Sequence, residues 1–132
     1  MRKLALIAPL ALTLTLSACA SGAGVLPAPE GFDASAGQFE GWARVEAGEI
    51  RLYREQSDLS RGFSTNCLSA ALPRNAQDSA GEVNGSRVRL HGRTAPWASR
   101  DGAETYGWQG SLIVNNCRRE VVILADRIEV LR

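Results

Sequence analysis

The chain has 132 residues, 15 basic and 14 acidic side chains, one histidine and 45% apolar residues. That length holds one small core rather than two. A charge balance this close to zero gives no strong steering toward nucleic acid or an acidic membrane.

The first elements read as an export signal. Arg2 and Lys3 form a basic start, and Leu4 to Leu16 form an apolar run of 13 residues. The run is too short for the roughly 20 residues of a stable membrane span, and Pro9 interrupts it. Ser17 and Ala18 supply the small residues of a cleavage site. Residues 1–18 are therefore expected to be removed, which leaves 114 residues with 13 basic against 14 acidic side chains. Every basic residue left is arginine. Arginine suits bidentate contact with carboxylate or phosphate, although genomic base composition also accounts for such a bias.

Leu16-Ser17-Ala18-Cys19 resembles the lipobox of bacterial lipoproteins: an aliphatic residue, two small ones, then cysteine. The resemblance covers the first 19 residues. It implies that the Cys19 thiol receives a diacylglyceryl group, that cleavage falls before Cys19, and that the new amine is acylated. Acyl chains at about 0.8 kcal/mol per buried methylene give durable anchoring. By the same resemblance, Ala20 in place of an aspartate favours the outer membrane. The expected location is thus the periplasmic face of the bacterial envelope, with the membrane as a partner through covalent lipid.

Residues 19–38 are rich in Ala, Gly, Ser and Pro and read as the lipidated cysteine followed by a flexible tether; the alternative is an ordered strand around Leu26 or Phe32 docked on the domain. Residues 39–132 read as a mainly β domain. Phe39 to Glu46 and Glu49 to Glu55 form a hairpin about Ala47-Gly48, with Ile50 and Leu52 on one face. Gln56 to Gly62 reads as loop, Phe63 to Cys67 as a strand, and Pro73 to Ala80 as loop. Asn84-Gly85 is a turn. Arg87 to His91 alternates, with Val88 and Leu90 inward, and Gly92 marks a bulge or bend. Thr105 to Asn115 reads as one strand. Val121 to Ala125 is continuously apolar and so central, with Ile128, Val130 and Leu131 continuing it. Five or six such strands imply a small antiparallel barrel or sandwich. The segment from Asn84 to Gly92 loosely resembles the curved strand of OB-folds, so an OB-like barrel is one form of that expectation.

With Cys19 taken by lipid, Cys67 and Cys117 remain as an even pair. In an oxidising compartment they are expected to form a disulfide. A Cys67–His91–acid nucleophile lacks a local signature, and a Cys67, Cys117, His91 zinc site lacks ligand spacing. Glu46 with Glu49, and Asp101 with Glu104, are the carboxylate pairs a glycosidase would need. Each lies at a turn, where charges are ordinarily solvated. No catalytic residue, metal or cofactor is therefore assigned.

The candidate binding patch is Arg51, Tyr53, Arg87, Arg89, His91, Arg93 and Trp97, all on outward positions. Such a set could take an envelope protein, a glycan or another anionic ligand by arginine contacts and stacking; the alternative is a solvated sheet face with Trp97 packed under a loop. Nucleic acid is not expected in this compartment. The expected function is a non-enzymatic, membrane-anchored envelope module. Two alternatives stand beside it. One is an inhibitor of an envelope hydrolase such as lysozyme, on architecture alone. The other is a small enzyme.

Overall fold

The computed structural model describes residues 24–61 and 66–132. The signal segment, the lipobox with Cys19, and Phe63 and Thr65 lie outside these residues.

The domain is mainly β and closes into a five-stranded barrel. Its strands are β1 (Gln38–Glu46), β2 (Glu49–Tyr53), β3 (Cys67–Ala71), β4 (Arg87–Pro96) and β7 (Val121–Val130). Around the barrel the order is β1-β2-β3-β7-β4, with β4 closing on β1. All pairings are antiparallel except β3 with β7. Counted among barrel strands, the order is 1-2-3-5-4, the strand order of the OB-fold. Between β3 and β4 lies the short helix α2 (Gln77–Glu82), and after β2 lies α1 (Gln56–Ser60). Both replace stretches expected to be loop. Cys67 opens its strand rather than ending one, so the strand expected from Phe63 runs instead through Ala71.

The interior is filled by the inward residues of alternating strands: Phe39, Ala43, Ile50, Leu52, Leu68, Ala70, Val88, Leu90, Ile123 and Ala125. Curvature needs glycine at two inward places. A Cβ on Gly41 would stand 2.4 Å from the Tyr53 carbonyl oxygen, and one on Gly92 would stand 2.1 Å from that of Leu124. The β4–β7 register shifts between His91 and Gly92, so Gly92 marks the expected bulge.

Thr105 to Asn115 is two strands, not one. β5 (Tyr106–Trp108) and β6 (Ser111–Ile113) pair antiparallel. The chain reverses at Gln109 and Gly110, whose φ angles are 45° and 85°, as two-residue hairpins require. The hairpin lays Tyr106, Trp108 and Ile113 on Ala71, Ala95, Val122 and Leu124, on the outside of the barrel wall. This makes a second small core, and it leaves Leu112 and Val114 exposed.

The ends of the barrel are also covered. Ala80 and Val83 of the α2 region join the main core at one end. At the other, residues 25–37 cross as a strap. Leu26 forms a parallel bridge to Arg119. Its N–H donates to the Arg118 carbonyl at 2.8 Å, and its carbonyl accepts from Glu120 N–H at 2.7 Å. The Glu30 carbonyl accepts from Arg54, and the Ala34 carbonyl accepts from the Thr94 hydroxyl. Ala28, Phe32 and Ala36 pack on the core. The flexible tether expected to reach Gln38 therefore does not: from Leu26 onward this segment is bound, because its backbone groups find partners on β4, on Arg54 after β2 and on the loop before β7.

Candidate functional site

The expected disulfide is present. Cys67 and Cys117 are bonded, with Cα atoms 5.5 Å apart. It packs with Tyr53, Trp42 and Leu59.

The bond pins the loop between β6 and β7 over the outer face of β2 and β3. Glu49, at the start of β2, is only 2% exposed. Its Oε1 accepts the N–H groups of Val114 at 2.6 Å and Asn115 at 2.9 Å. Its Oε2 accepts the Asn116 N–H at 2.9 Å and the Ser69 hydroxyl at 3.3 Å. The Ser69 oxygen accepts the Cys117 N–H at 3.1 Å. One carboxylate thus fills a nest of successive backbone donors. The loop thereby covers the outer face of β2 and β3.

The seven residues of the candidate patch do not form one surface. Tyr53 is buried under the disulfide. It points away from the barrel interior, as its strand position dictates, but a second layer covers it. Arg51 pairs with Glu46 across the first hairpin. Arg93 lies over the Trp108 ring at 5.6 Å. Trp97, just after β4, stacks against Arg100 at 4.8 Å.

Arg87, Arg89 and His91 do come together, on the outer face of β1, β4 and β7. Arg89 donates twice to Glu40 Oε1, at 2.6 and 3.0 Å, and Arg87 reaches Glu40 Oε2 at 3.3 Å. His91 Nε2 meets Glu129 Oε1, and Arg127 and Arg89 approach the same oxygen at 3.6 and 3.8 Å. The result is a ladder of three arginines, one histidine and two glutamates. The Arg89 hydrogen bond holds the Glu40 carboxyl below its ordinary range, and Glu40 in turn raises Arg89. The His91 hydrogen bond, then the nearby positive charges, hold Glu129 low. Arg127 and Glu129 lie outside the patch that the sequence suggests, because the β4–β7 register that places them opposite His91 and Arg89 is not visible in the chain order.

Trp97 belongs to a separate cleft. It lines a groove of about 410 Å³ with Val25, Pro27, Pro96, Ala98 and Val121. Beyond it, Gly24, Glu104, Asn115 and Arg118 border an adjoining hollow. Asp101, beside this cleft, accepts the Gly107 N–H at 2.8 Å, which lowers its carboxyl below the ordinary range.

Three of the four paired carboxylates have structural duties. Glu49 holds the β6–β7 loop, Glu46 holds Arg51, and Asp101 holds the start of β5. Among the described residues, no three His, Cys, Asp or Glu side chains converge on a common metal position. The chain matches no protein-family model and has no significant match among curated proteins.

Proposed function

We propose that this protein is a lipid-anchored module of the bacterial envelope that acts by binding. One observation carries the reading. Cys67 and Cys117 are joined, so Cys19 is the third and remaining cysteine, and it directly follows an apolar run and two small residues. A disulfide of this kind belongs to an oxidising compartment, which is where a lipobox sends a protein. Ala20 favours the outer membrane by the same resemblance.

The ladder on β1, β4 and β7 is the binding surface this reading uses. Three arginines face two glutamates there, and Arg87 and Arg127 are more than half exposed. An anionic glycan or an acidic patch on an envelope protein would compete with Glu40 and Glu129 for guanidinium forks already held in place.

The test is intact mass of the full chain produced in bacterial cells. The expected product begins at Cys19 and carries a diacylglyceryl group and an amide-linked acyl chain. Cys19→Ser should abolish the modification and release the protein from membranes. A mature chain starting elsewhere, or a Cys19→Ser protein that stays membrane-bound, would reject the reading.

A further inference from the structure

We infer that the Trp97 end of the barrel is the face laid against the lipid bilayer, with α2 pointing away. The inference rests on lipidation at Cys19 and adds an orientation to it.

The argument starts from chain length. Between Cys19 and Gly24 there are five residue steps, about 18 Å at full extension. The headgroup layer takes about 5–8 Å of that. Gly24 is therefore held within roughly 10–13 Å of the headgroup surface. A free tether up to Gln38 would permit any orientation. The strap removes that freedom, because Leu26 is bonded to Arg118 and Glu120. The anchor thus pulls on one defined place, the start of β7.

The surface at that place suits a bilayer interface. Val25, Pro27, Pro96 and Ala98 line a groove with Trp97 and one charged residue, Glu120, and Leu26 is 46% exposed. Tryptophan with one polar edge is the residue that settles at headgroup level. Arg100 stacks on its ring at 4.8 Å, and Trp97, half-buried, packs on the outer core of Ala95 and Val122. Arg100, Arg118 and Arg119 are balanced by Asp101, Glu104 and Glu120. The surface there carries no net charge, so the contact rests on its apolar residues and needs no anionic lipid. The opposite end, beyond the β1–β2 turn, carries α2. β7 rises about 3.3 Å per residue, so its ten residues separate the two ends by roughly 20–30 Å once tilt is allowed.

The experiment uses the full-length mature protein as bacterial cells produce it, on phosphatidylcholine vesicles containing a headgroup spin-labelled lipid. A bimane fluorophore is attached at Ala98→Cys or at Glu82→Cys, both exposed positions, with the native disulfide verified by mass. Quenching should be several-fold stronger at position 98, because the two positions differ in height by roughly 20–30 Å. Inserting 20 Gly-Ser residues after Ala20 should shrink that contrast. Protein that floats with the vesicles but is quenched equally at both positions would overturn the orientation and leave lipidation standing. Quenching that develops only after phosphatidylglycerol is added would overturn its apolar basis. Protein that fails to float would reject lipidation itself, and the orientation with it.

Discussion

Glu49 reaches across from β2 to the backbone of Asn115, 66 positions later in the chain, and accepts its N–H at 2.9 Å. Two neighbouring N–H groups share the same carboxylate. Truncating this side chain orphans three backbone donors and the Ser69 hydroxyl at once. Each orphan costs about 1–3 kcal/mol, so Glu49→Ala should lose more than about 3 kcal/mol in urea unfolding. Glu49→Gln keeps one acceptor oxygen and should fall between. A loss under about 1 kcal/mol for the alanine variant would mean that water replaces the carboxylate without penalty.

Replacing both Cys67 and Cys117 by alanine opens a covalent loop of 50 residues' separation. Loop-closure entropy assigns that cross-link about 4 kcal/mol, a large fraction of a small domain's stability. Thermal unfolding of the double variant, or of the native protein in dithiothreitol, should show a correspondingly lowered midpoint. An unchanged midpoint would show that Glu49 and Ser69 hold the loop without the covalent bond.

Two glycines should respond in opposite directions. Gly92→Ala places a Cβ 2.1 Å from the Leu124 carbonyl oxygen, a backbone atom that cannot step aside. The expected loss is about 2 kcal/mol or more. Gly81, inside α2, has open space where an alanine methyl would stand, with nothing within 4 Å. Gly81→Ala should therefore stabilise by about 0.5–1 kcal/mol through helix propensity. Denaturant midpoints of the pair decide it, and a tolerated Gly92→Ala would show that the bulge adapts.

The ladder sets a pH response. Glu129 and Glu40 have carboxyls held below their unfolded values. A depressed acid contributes stability above its unfolded pKa and loses it as pH falls through the folded one. Melting temperature should therefore drop progressively below about pH 4.5. Glu129→Gln should flatten part of that drop. Carboxyl titration by NMR gives a direct reading, and an ordinary titration for Glu129 would dissolve the His91 contact.

Much of the barrel is legible in the chain because period-two alternation reports which way a residue points. Ile50, Leu52, Val88 and Leu90 turn inward as their pattern dictates, and the Gly92 bulge sits where the alternation breaks. Alternation does not report what lies on the other side of the wall. Tyr53 points outward and is nevertheless fully covered. The strap is legible only as an alternative around Leu26 and Phe32, for a related reason. Leu26, Glu30 and Ala34 are held through backbone carbonyls, which every composition shares. The helices α1 and α2 span five and six residues with no side-chain cap, too short for a 3.6 period to declare itself. In Gln109-Gly110 the turn is written in the second residue alone, amid an otherwise continuous strand pattern.

The strap also fixes how this molecule carries a load. Tension on its N-terminal end reaches Leu26 and passes to Arg118 and Glu120 through two hydrogen bonds. The next residue back from Arg118 is Cys117, tied covalently to β3. A tug therefore travels along a short path into the middle of the barrel wall, bypassing the strap's remaining contacts. The disulfide serves as a cleat: the line runs to it directly, and the apolar plug formed by Phe32 and Ala36 stays slack.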